Sequence, residues 1–180
     1  MSFLENMSKN RRGSKIVLIA HNGDAFDFLV LVNSLTKFSL LDRVKGLDLL
    51  FLDSLKLFSS LQVFKEMGGK TKSLSLPCIY NCLFGKDLDA HDELGDCQAL
   101  SEVFLAVVPD VSVSEFAAHM HAVNEVESTA KLRTAIRSRM ISMQDLPLSR
   151  TMKEKTAKAG IGLQQLKSVF SINQFPHVLT

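Results

Sequence analysis

KIVLIAHNGDAFD, residues 15–27, decides how this sequence folds. Lys15–Ala20 is a short aliphatic run without polar alternation, the pattern of a strand buried on both faces. His21-Asn22-Gly23-Asp24 breaks the run, and Asp24 is placed to cap a helix reaching about Thr36. That helix has apolar residues at 26 and 28–32, so it is expected to be largely enclosed. A second apolar run, Leu49–Asp53 (LLFLD), lies at the distance that lets strand, helix and strand form the βαβ unit of a parallel sheet.

Beyond this unit the punctuation is clear. A polar stretch, Lys65–Ser73, contains the turn pair Gly68-Gly69. Pro77 sits where a helix can begin, and that helix is expected to end near Gly85. An acid-rich loop, Lys86–Glu93, leads into a helix over about Leu94–Val107, which Pro109 stops. The remainder reads as helices: a long one around Ser114–Met140, then Arg150–Ala159, then Leu163–Phe170 after Gly160-Ile161-Gly162. The expected architecture is α/β: a flexible basic N-terminus over 1–14, a sheet domain over 15–110 and an all-helical extension over 111–180.

Composition bounds the function. A chain of 180 residues and 20.0 kDa buries on the order of 70% of its unfolded surface and can own a core. With 46% hydrophobic and 22% charged residues, wholesale disorder is excluded. No apolar run approaches the ~20 residues needed to cross a bilayer, so no membrane role is expected. Three cysteines, an odd number, make no disulfide framework and point to an intracellular site, nucleus or cytoplasm. Cys78 and Cys82 lie one helical turn apart without partners at finger spacing, so buried thiols are favoured over zinc.

The net charge of +2 conceals a division. Residues 1–130 hold 12 Lys/Arg and 17 Asp/Glu, a net −5, whereas 131–167 hold 9 Lys/Arg against Asp145 and Glu154, a net +7. One reading is a carboxylate site beside a polyanion-binding arm; the plainer one is a solvated charged helix face. Arg133 and Arg137, at i and i+4, share a face under either reading.

Two constellations carry chemistry. His21-Asn22-Gly23-Asp24-Ala25-Phe26-Asp27 falls where a parallel strand ends and a helix begins, the place where open α/β sheets bind ligands. His91-Asp92-Glu93-Leu94-Gly95-Asp96 sets a histidine and an aspartate five residues apart across a helix start. LIAHNGDAFDFLVL resembles the second motif of the DEDDh 3′–5′ exonucleases, in the DnaQ-like, RNase H-like superfamily, and within it the TREX-type animal enzymes. SLPCIYNCLFGKDLDAHDELGDCQAL resembles their third motif. The resemblance spans about residues 15–108, and the basic helical tail is more loosely similar to extensions on PML-like animal exonucleases.

The resemblance implies a partial RNase H-like sheet and a metal-dependent 3′–5′ exonuclease acting on DNA or RNA 3′ ends, preferentially single-stranded. Asp27 and Asp96 would be ligands to Mg²⁺ or Mn²⁺, and His91 the general base. His21, Asn22 and Phe26 would contact substrate. The chemistry suits the residue types: two cations about 3.5–4 Å apart, held by hard carboxylate oxygens, stabilise the attacking and leaving oxygens of a phosphodiester. An imidazole of ordinary pKa about 6.5 can take the water proton near neutral pH. Phe26 could stack on a terminal base, or belong to the core.

The family's first motif, an Asp-x-Glu on a leading strand, has no counterpart in residues 1–14, where Glu5 is the only acid. A two-metal site is therefore incomplete here, and the chain is expected to be a truncated gene product or a degenerate member. The competing reading is a non-catalytic nucleic-acid-binding or protein-interaction module derived from such a nuclease. A third has a homodimer or a partner chain covering the exposed sheet edge. Asp53-Ser54 is read as structural. Gly160-Ile161-Gly162 fits either a phosphate-binding helical hairpin or a C-cap turn, and the C-cap is favoured.

Overall fold

A computed structural model describes residues 2–10, 14–61, 73–88 and 93–169. The chain divides into two compact units, residues 1–127 and 128–180. The first is α/β and the second, among its described residues, helical.

In the first unit, β1 (Ile16–Ala20) and β2 (Leu49–Asp53) pair in parallel, Ile16 opposite Leu49 and Ala20 opposite Asp53. Between them run α2 (Asp27–Lys37) and α3 (Leu41–Lys45), after an N-terminal α1 (Ser2–Asn10). β2 is the central strand, and its alternating side chains reach two separate cores. Phe51 points to α2 and meets Phe28, ring centroids 4.8 Å apart. Leu52 points the other way, into a cluster with Leu57 and Phe58 of α4 (Ser54–Ser60), Leu76 and Ile79 of α5 (Leu76–Phe84), and Ala99, Val103 and Val107 of α6 (Glu93–Val107). Helices thus cover both faces of β2, which is why LLFLD needs no polar alternation. As expected, α5 starts around Pro77 and ends at Gly85, and α6 gives way to a single 3₁₀ turn at Pro109.

Three expectations are corrected. Residues 2–10 are not a flexible arm: they form α1, and Glu5 accepts from Arg43 Nε (3.1 Å) and Nη2 (2.6 Å) on α3. Asp24 does not cap a helix through Thr36; α2 begins at Asp27, and Phe26 before it offers no side-chain cap. Nor is the chain all-helical beyond 110. Instead of one helix over Ser114–Met140, a short α7 (Val113–Ala118) with a Ser112–Glu115 capping box is followed by β3 (Met120–Ala122) and then α8 (Val123–Ser142). β3 lies antiparallel on β2, His121 opposite Phe51. Met-His-Ala has little intrinsic strand preference; it is extended because the second edge of β2 would otherwise hold unpaired backbone groups. The sheet unit consequently extends to Glu127, and the charge division follows the same line, since residues 128–130 are uncharged.

In the second unit, most of α8 is followed by α9 (Arg150–Lys158) and α10 (Leu163–Val169). Ser149 caps α9 by accepting from Met152 N–H. Gly160, at φ +84°, ends it: its N–H bonds the Ala157 carbonyl and Ile161 N–H bonds that of Thr156, a Schellman closure. Gly160-Ile161-Gly162 is therefore a helix stop. Among the described residues no helix is long and apolar enough to cross a membrane.

Candidate functional site at the strand ends

The carboxyl ends of β1 and β2 are joined by one buried carboxylate. Asp53, 1% exposed, accepts three backbone N–H groups: Asn22 (2.9 Å) and Leu55 (3.0 Å) on Oδ1, and Asp24 (3.2 Å) on Oδ2. It caps α4 and fixes the 21–26 turn at once. Within that turn Asn22 takes the left-handed conformation, φ +64°, which Asn tolerates better than most residues. Gly23 must be glycine because a Cβ would lie 2.6 Å from the Phe28 ring and 2.8 Å from Ala20 Cβ.

His21 is spent inside the protein. Its Nε2–H donates to the Leu74 carbonyl (2.8 Å), so the neutral ring presents Nδ1 to the Ser54 hydroxyl (3.1 Å). Both nitrogens are thus committed to the fold, and the expected substrate contact would have to displace one of them. Burial pushes the imidazole below its ordinary 6.5, against the opposing pull of the Leu74 carbonyl and of Asp53. The sign follows: with the folded value depressed, the unfolded chain binds the proton more readily between the two values. The contribution of His21 to stability is therefore full above about pH 6.5 and lost as pH falls through the folded value. Urea titrations at about pH 7.5 and pH 5.5 should show a smaller acid-induced loss in His21→Gln than in wild type; equal losses would exclude His21 as a source.

Two further residues meet this end of the sheet, and neither has a local sequence signal. Lys56 Nζ reaches Asp24 Oδ2 at 2.6 Å, and His121 Nε2 approaches the same oxygen at 3.4 Å. His121 Nδ1 also lies 3.7 Å from Glu125 Oε2. Asp24 thus pairs with Lys56 of α4 and faces His121 of β3.

Asp27 differs from Asp24 and Asp53. It is exposed in the first turn of α2 and makes no hydrogen bond or ion pair with a described residue. Phe26 beside it is 68% exposed, so this ring is on the surface and not in the core. Asn22 is also exposed, although its backbone N–H is held by Asp53. Asp96, half-buried near the start of α6, is likewise unengaged among the described residues. α2 and α6 cover opposite faces of β2, and among the described residues no hydrogen bond or ion pair links the two carboxylates. His91 lies outside the described residues, as do Asp89, Asp92 and the Lys65–Ser73 glycine pair up to residue 72.

The donors available are hard oxygens suited to Mg²⁺ or Mn²⁺. Among the described residues, however, no group of three or more His, Cys, Asp or Glu comes together to hold a metal. Asp27 and Asp96 do not by themselves complete a cation site. Cys78 and Cys82 are free thiols but not buried as expected: Cys78 is half-buried and Cys82 exposed. No family model and no curated protein matches the chain.

Proposed function

We propose that the first unit is an RNase H-like domain of the 3′–5′ exonuclease type that engages 3′ ends of DNA or RNA. The observation that carries this is the contrast among the strand-end aspartates. Asp24 and Asp53 are consumed by internal bonds, while Asp27 is exposed and unengaged among the described residues, beside an exposed Phe26. A free carboxylate next to a free aromatic ring, at the carboxyl end of a parallel strand, suits a terminal nucleotide: the ring stacks on a base without reading its identity. Asp96 and His91 are the partners this reading assigns, a carboxylate ligand and a general base.

A second reading, engagement without hydrolysis, is favoured by residues 1–14, which hold no Asp-x-Glu and whose one acid, Glu5, is paired with Arg43. One experiment separates the two. A labelled single-stranded oligonucleotide is incubated with the chain in millimolar Mg²⁺ or Mn²⁺, beside Asp27→Ala, His91→Ala and Phe26→Ala. Hydrolysis predicts stepwise shortening from the 3′ end, reduced about 100-fold or more by Asp27→Ala or His91→Ala. Binding alone predicts an intact oligonucleotide whose retention is weakened about tenfold by Phe26→Ala, stacking being worth ~1–3 kcal/mol per base. No binding and no shortening would reject both.

A further inference from the structure

The basic surplus of the second unit is concentrated around a groove of about 820 Å³ between α8 and α9. Ile136, Met140 and Ile141 of α8 give it an apolar wall, and Ile141 is 56% exposed. Arg137 on α8 and Arg150 and Lys153 on α9 form the basic rim. Lys153 Nζ donates to the Gln144 carbonyl (2.7 Å), which holds its stem in place. Among the described residues Glu154 is the one acid lining the groove, and Lys158 already pairs with it at 2.7 Å. Arg137 has no hydrogen-bond or ion-pair partner among the described residues. Little counter-charge is available nearby in sequence: residues 128–180 contain nine Lys and Arg and, besides Glu154, only Asp145.

Charge and apolarity together select the occupant. Among the described residues of this unit, 128–169, there is no Phe, Tyr or Trp on which a single-stranded nucleic acid could stack its bases beside the rim. Phosphates would satisfy the rim and leave the isoleucines and methionine uncovered. An amphipathic helix with acidic flanks satisfies both. We propose that the α8–α9 groove docks an acidic amphipathic helix of a partner protein, with apolar side chains against Ile136, Met140 and Ile141 and carboxylates on Arg137, Arg150 and Lys153. This docking is independent of the strand-end reading.

The test is fluorescence anisotropy of a short labelled peptide bearing Leu along one helical face and Glu along the other, titrated with the full chain. Saturable binding is expected, weakened about tenfold by Arg137→Glu and similarly by Ile141→Ser. Both side chains are exposed, so the variants should keep the wild-type far-ultraviolet circular dichroism. Peptides with Leu→Ser or with Glu→Gln should bind at least about tenfold more weakly than the parent. Absence of binding overturns the proposal, as does equal binding of the Leu→Ser peptide or indifference to Ile141→Ser. So does tighter capture of oligothymidylate through Arg137.

Discussion

Asp53→Ala is expected to destabilise the first unit by about 3 kcal/mol and to lower its Tm by about 10 °C. Three backbone N–H groups converge on this carboxylate, and each such charge-assisted bond contributes ~1.5–3 kcal/mol. The sum is smaller than three times that range, because water can reach Asn22, which is exposed, once the carboxylate is gone. Asp53→Asn should recover only part of the loss: its amide keeps one acceptor oxygen and turns an NH₂ toward donors that need an acceptor. The single tyrosine, Tyr80, lies in the same unit, so its fluorescence in a thermal or urea melt reports on that unit. Hydrogen exchange supplies a local signature, since the Asn22, Asp24 and Leu55 amides should lose protection first. A loss below about 1 kcal/mol would mean that the turn is held by something else.

Phe51→Ala should cost about as much, ~3–5 kcal/mol, for a different reason. The ring is fully buried on the central strand and packs at 4.8 Å and 49° against Phe28. Removing it leaves a cavity beneath α2, whose first turn carries Asp27, and forfeits the ~0.5–1.5 kcal/mol specific to an aromatic pair. Phe51→Leu, which keeps most of the volume, should cost under about 1.5 kcal/mol. Phe26→Ala is the useful contrast. That ring is exposed, so stability should change by no more than about 0.5 kcal/mol, leaving any binding defect interpretable. Urea melts of the three variants check the order; a Phe51→Ala loss no larger than that of Phe26→Ala would contradict the two-faced packing of β2.

The legible parts of this fold are those encoded over a few residues. KIVLIA and LLFLD announce strands by unbroken apolarity, and both form, in parallel. Pro77 and Gly85 bracket α5, and Pro109 ends α6, because ring closure and a left-handed stop act locally. α4 carries a local signal too, Asp53 as a cap before the apolar turn Ser-Leu-Lys-Leu-Phe, which the reading of Asp53-Ser54 as a strand end passes over. Asp53-Ser54 is structural, as the sequence suggests. The placement of Asp24 was not legible, since it depends on Lys56 and on His121, 32 and 97 positions away.

Sequence alone determined the two units' opposite charges, the paired strands and the helix stops, because each is a sum or a pattern over neighbouring residues. Only the tertiary structure decided that Met120–Ala122 is a strand, that His21 is an internal tie and that, among the described residues, Asp27 is the strand-end aspartate left unengaged. Those outcomes turn on which backbone and side-chain polar groups find partners, and buried partners are chosen by proximity in space.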